Sequence, residues 1–185
     1  MTATAFDPEA LVDDCLAAIT ADQPVLAVRD ALDRALATPA AVAGALGRER
    51  AGIESLHTSD RLTVLNVVWA PGMRLFPHDH RMWAVIGIYG GAEDNEFFGR
   101  TADGLRSTGG ASIAERDVLL LGDDTIHAVT NPRPTLTGAI HVYGGDFFTT
   151  PRSEWDPETL EERPWDVEHA RRVFAEANEG LTSGR

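Results

Sequence analysis

Six histidines stand in this 185-residue chain, and four of them fall where they can act together. His78 and His80 are two apart in Pro77-His78-Asp79-His80. Residues i and i+2 of a strand project to one face, so one strand can offer two imidazoles to one ion. His127 comes later, in Gly122-Asp-Asp-Thr-Ile-His127-Ala-Val-Thr-Asn131, on what should be another strand. Three imidazoles from two strands suffice to hold a transition metal with positions left open. His141 and Tyr143 are again two apart and, on a strand, share a face. By themselves they could equally be a core pair that satisfies itself.

The elements that must position these residues read as follows. Asp7-Pro8-Glu9 is a cap-like helix start with Pro at the first helical position. Leu11, Val12, Cys15, Leu16 and Ile19 then recur at three and four residues. A second helix is expected from about Pro24 to Leu36, and a third, Ala-rich one ends near Gly47. From about Gly52 the pattern is that of strands: 61–69, 83–89, around Phe97-Phe98 and Ser112-Ile113, then 118–121, 126–129 and 136–143. Short, evenly spaced strands with turn residues between them predict an all-β sandwich or barrel. Beyond Pro151 the chain is polar and acidic, and 166–178 predicts a closing helix. The expected organisation is one domain over 1–185, with a helical segment 1–48, a barrel 50–148 and a C-terminal extension 149–185.

Composition narrows the function. Net charge is -13, against nucleic acid and against anionic membrane surfaces, both of which want basic patches. A single cysteine, Cys15, rules out an intrachain disulfide and reads as a buried, idle thiol. Met1–Glu9 lacks a basic start followed by an apolar run, and no stretch approaches the roughly 18 apolar residues of a membrane span. A cytoplasmic monomer or homodimer is the expectation.

Gly72-Met-Arg-Leu-Phe-Pro-His78-Asp-His80, with Gly91 behind it, resembles the first cupin motif, and His127-Ala-Val-Thr-Asn131 resembles the end of the second. Within the cupins, Trp69 followed by a turn and His78-Asp-His80, then His127 and His141-Val-Tyr143, is similar to the cysteine dioxygenase family of thiol dioxygenases. The likeness runs over roughly 50–145. Tyr143-Gly-Gly-Asp-Phe-Phe and Glu162-Arg-Pro are similar to the bacterial branch of predicted metal-dependent double-stranded β-helix proteins. The resemblance implies a mainly β cupin (jelly-roll) barrel with N-terminal helices and a C-terminal helix. It implies iron(II) on His78, His80 and His127, although imidazoles also suit nickel or zinc. It places Tyr143 next to the substrate or dioxygen, with His141 holding Tyr143. The substrate would be a small thiol, oxidised by dioxygen to a sulfinate.

Most cupins add a glutamate four or five residues after the second histidine, where this chain has Ala84 and Val85. Neutral ligands leave the charge of a divalent ion uncompensated and favour an anionic, chelating substrate such as a thiolate acid. The family's Ser-x-His-x-Tyr is here Ala139-Ile-His141-Val-Tyr143, the crosslinking cysteine of some members corresponds to Val85, and the family's carboxylate-binding arginine corresponds to Gly52. Arg50 and Arg74 are the substitute candidates, beside Arg61 and Arg81, and Met82 is expected to line the pocket. A three-histidine oxygenase or isomerase acting on a non-thiol chelating acid, and a non-catalytic metal or ligand binder, remain open readings.

Overall fold

The computed structural model describes residues 5–183, so the first four residues of the Met1–Glu9 stretch considered above lie outside the described residues. Three helices come first: α1 (Pro8–Ala18), α2 (Pro24–Ala35) and α3 (Pro39–Leu46). Each opens on proline, and the Asp7 side chain accepts a hydrogen bond from the Glu9 amide as the cap of α1.

Nine strands follow: β1 (Gly52–Thr58), β2 (Thr63–Trp69), β3 (Arg74–Asp79), β4 (Ala84–Gly90), β5 (Ala92–Thr101), β6 (Gly104–Ala114), β7 (Val118–Leu121), β8 (Ile126–Thr130) and β9 (Thr137–Tyr143). Two short strands, β10 (Ser153–Trp155) and β11 (Glu162–Pro164), and the helix α4 (Val167–Ser183) close the chain. One sheet runs β1-β2-β9-β4-β7 and the other β11-β10-β3-β8-β5-β6, with antiparallel pairings. From β2 to β9 the chain switches sheet at every connection except the β5–β6 hairpin. The resulting orders, 2-9-4-7 facing 3-8-5-6, are those of a jelly roll, the double-stranded β-helix of cupins. The fold class expected from the sequence is therefore the one observed.

Strand alternation divides the core in two. From β4 and β9, Ala84, Ile86, Ile88, Ala139 and Tyr143 point into the barrel with Leu65, Val67 and Trp69. Val85, Tyr89, Ile140 and Val142 point the other way, onto Leu11, Cys15, Val28, Leu32 and Leu36 of the helical layer. Both faces of this sheet are covered, so β2, β4 and β9 are buried along their whole length. Trp83 packs on the helical side, as its parity predicts. Gly87 lets α2 approach: a Cβ there would stand 2.7 Å from Leu36 Cδ1. Burial pushes the Cys15 thiol up to about 12, which suits an idle core residue.

Two boundaries differ from the sequence reading. The final helix extends to Ser183, and β10 and β11 occupy the stretch read only as polar. Three-residue strands carry too little periodicity to be seen. Among the described residues no helix is long and apolar enough to cross a membrane.

Candidate metal centre

His78 on β3 faces His127 on β8 directly across the ladder. His80 follows just beyond the end of β3, where Arg81 takes a positive φ of 56° and turns the chain into β4. The three rings stand 4.7 to 5.0 Å apart by centroid. One nitrogen from each lies within 4.8 Å of the others, and Nε2 of His80 is 3.4 Å from Nε2 of His127. All three residues are buried. His78, His80 and His127 are thus brought together as the sequence predicts.

The neighbours prepare these rings for a cation. The β3–β8 register slips between Leu75 and His78, and there His78 Nδ1 donates to the Phe76 carbonyl at 3.0 Å. His127 Nδ1 donates to Asn95 Oδ1 at 2.8 Å. Both bonds leave Nε2 as a free lone pair aimed at the centre. Burial lowers the His78 pKa to about 4 and holds His80 and His127 well below the usual range, so all three are neutral at pH 7. His80 Nδ1 has no protein hydrogen-bond partner. Three neutral imidazoles, converging and dry, fit a divalent transition metal. In place of a carboxylate ligand stands Ala84, which is in register with Tyr143 on the interior face of the barrel.

Tyr143 packs its ring edge-on against His80 at 4.9 Å, and its hydroxyl is 3.0 Å from His141 Nδ1. Both line the cavity with His78 and His127. Burial pushes the Tyr143 phenol well above its ordinary value. Val85, the position aligned with the crosslinking cysteine, faces the helical layer, so Ala84 is the residue in register with Tyr143.

The substrate-side arginines need correction. Arg74 is half-exposed on the outer face of β3, 2.9 Å from Glu96, because its strand parity is opposite to that of the cavity residue Leu75. Arg50 is exposed in the loop before β1 and lines a neighbouring cavity of about 360 Å³, outside the metal cavity. Met82 is buried but sits under Gly145 and does not line the metal cavity. His169 of α4 stacks on Phe76 at 4.3 Å and bonds Glu154 at 2.7 Å.

Arg152, just before β10, is a buried arginine that packs on two residues of the cavity wall, Phe147 and Trp165. Only 6% of it is exposed, and its guanidinium packs against both the Phe147 and the Trp165 ring, 4.1 and 4.3 Å from their centroids. One nitrogen donates to the Phe147 carbonyl, while Nε and Nη2 are buried without a partner. Desolvation lowers its pKa to about 10, so it remains a cation at pH 7. Its charge helps to depress His78 and His80. The only signal in sequence was a lone arginine in a polar stretch.

The metal cavity is small, about 20 Å³, enough for an ion or a water. Ile53, Phe147 and Trp165 form its boundary with the 360 Å³ cavity under α4.

No family model matches the chain. Similar solved structures include an RmlC-like cupin family protein with a double-stranded β-helix fold from Methanocaldococcus jannaschii (10% identity, 55% of this chain and 85% of that one, TM-score 0.47). A Bacillus halodurans protein matches at 18% identity over 56% of this chain and 77% of its own, with TM-score 0.49. A deletion mutant of Bacillus subtilis oxalate decarboxylase matches at 16% identity over 55% of this chain and 28% of its own, with TM-score 0.45. The fold assignment rests on the strand order given above. The chain thus combines a cupin-type jelly roll with a buried three-histidine cluster that could hold a metal ion.

Proposed function

We propose that this protein is a mononuclear non-haem iron(II) dioxygenase that converts a small thiol bearing a carboxylate into its sulfinate. The observation that carries the reading is the pairing of a neutral three-histidine cluster with a buried arginine that has two unpartnered nitrogens. Iron held by His78, His80 and His127 would supply the one-electron chemistry that dioxygen requires. The balance is RSH + O2 giving RSO2⁻ and a proton, with sulfur oxidised by four electrons and both oxygen atoms retained.

The chain's own groups divide the rest of the work. A buried, unpaired cation is costly, and an arriving carboxylate removes that cost. The planar fork of Arg152 suits a carboxylate, and its packing against Phe147 and Trp165 holds that fork in place. A carboxylate held there would leave the thiol two or three carbons away to reach toward the imidazoles, and the metal cavity of about 20 Å³ would have to widen to admit it. Tyr143 borders the same space, and the apolar walls Leu65, Val67, Leu75 and Val129 exclude water. Substrate enters from the outer cavity, past Ile53, Phe147 and Trp165.

The test is metal content together with oxygen uptake on adding cysteine, 3-mercaptopropionate and cysteamine in turn. Iron near one per chain and sulfinate formed one-to-one with oxygen from an acid-bearing thiol are expected. Arg152→Gln should raise KM for that thiol roughly a hundredfold, the size of one lost buried charge pair. Equal uptake with cysteamine, which has no carboxylate, would remove Arg152 from the reading. Iron-loaded protein that consumes no oxygen with any of the three sinks the thiol reaction and leaves the non-thiol acid or the pure binder.

A further inference from the structure

Behind Tyr143 and His141 lies a carboxylate that the sequence motifs do not include. Glu93, the second residue of β5, is 0% exposed in the barrel interior. Its Oε1 accepts a 2.6 Å hydrogen bond from the Trp69 indole and stands 3.4 Å from His141 Nε2. Its Oε2 has no partner. On the other side of the same ring, His141 Nδ1 is 3.0 Å from the Tyr143 hydroxyl. The side chains therefore form one line, Trp69–Glu93–His141–Tyr143, ending at the metal cavity.

Two features aim Glu93 at His141. Thr137 Oγ1 accepts from the Ala92 amide and donates to the Ala92 carbonyl, both at 3.0 Å, which ties the start of β5 to the start of β9. Ala139, where the resemblance leads one to expect serine, is a fully buried methyl two residues before His141 on the same face. It offers the ring no hydrogen bond, so Glu93 is the anionic group on the Nε2 side.

We infer that Glu93 is a positioning residue that sets the direction of hydrogen bonding at Tyr143. A carboxylate only accepts, so it selects the His141 tautomer that carries its proton on Nε2. Nδ1 is then a lone pair, and the Tyr143 hydroxyl must donate to it. The phenol proton is turned away from the cavity, and the phenol oxygen meets the substrate as an acceptor. With the opposite tautomer His141 would donate to Tyr143, and the phenol would present a donor to the cavity instead. Glu93 thus decides whether Tyr143 receives a hydrogen bond from the substrate or gives one. The tautomer itself is independent of the reaction, whereas its catalytic meaning rests on the thiol dioxygenase reading.

The experiment is long-range proton–nitrogen NMR of the full chain, labelled with 15N-histidine and loaded with diamagnetic zinc. Wild-type His141 is expected as the neutral Nε2–H tautomer. Observation of the Nδ1–H tautomer or of the doubly protonated ring overturns the inference without any variant. Glu93→Leu, which removes the acceptor altogether, should lose this preference while the His78 and His127 signals stay in place. Glu93→Gln, whose amide oxygen can still accept from the Trp69 indole and from His141, should retain it, as should Trp69→Phe, which keeps the carboxylate. An unchanged His141 tautomer in Glu93→Leu also overturns the inference. In the iron protein, Glu93→Leu should lower kcat for the acid-bearing thiol at least about tenfold, with KM and iron content unchanged, because the ligands and Arg152 are untouched. A shifted tautomer in a protein that turns over no thiol upholds the role of Glu93 and refutes the proposed reaction.

Discussion

At the scale of single residues, the metal centre depends on which nitrogen of each ring is left free. His127 reaches the centre through Nε2 because Asn95, itself buried, takes the proton on Nδ1. Asn95→Ala should leave that N–H buried without an acceptor and let the ring rotate. Metal affinity is expected to fall roughly 10- to 100-fold, measured by competition with a chelator, while the protein stays folded. Unchanged affinity would show that the barrel wall alone orients His127. His78 with His80, and His141 with Tyr143, were legible because each pair is two residues apart, and His127 because it heads a motif of its own on another strand. Asn95, Glu93 and Arg152 were not: they meet His127, His141 and Phe147 through β5 and the segment after β9, and no spacing rule links residues on different strands.

At the scale of elements, the β4–β5 turn is a place where the barrel admits no side chain. Gly91 has φ +88°, and a Cβ there would stand 2.9 Å from the Thr137 Cα. The single Thr137 hydroxyl proton is shared between the Ala92 carbonyl and Asn131 Oδ1, 2.9 Å away, and Asn131 Nδ2 lies within hydrogen-bond distance of the Trp69, Ala70 and Thr135 carbonyls. One knot therefore joins the ends of β2, β8 and β9 to the start of β5. Gly91→Ala combines a left-handed backbone with a clash against backbone atoms and should cost about 3 kcal/mol. Urea unfolding reads this directly, and a loss below about 1 kcal/mol would show that the turn relaxes. The glycine and Asn131 were visible in sequence as parts of a motif and as strand ends. That Asn131 bonds three carbonyls on two segments followed only from the fold.

At the scale of the whole molecule, acid should act on the three neutral imidazoles enclosed by the barrel. His78 titrates at about 4 in the folded protein against roughly 6.5 when unfolded. Between those values the unfolded chain binds the proton and the folded chain does not, so stability present above pH 6.5 is lost as pH falls toward 4. His80 and His127 act in the same direction. The carboxylates of Asp156 and Glu162, lowered to about 2, titrate below this window. The urea midpoint of the metal-free protein should therefore decline from pH 7 to pH 4, and a flat midpoint would contradict neutral burial. The chain's amino-acid order by itself determined the barrel and its five motif residues, because alternation and two-residue spacing are local properties of a strand. The carboxylate-seeking arginine, the glutamate behind His141 and the absence of Arg74 from the cavity were decided by tertiary structure alone. Burial, and with it the cost of an unpaired charge, is set by which distant strands close over a residue.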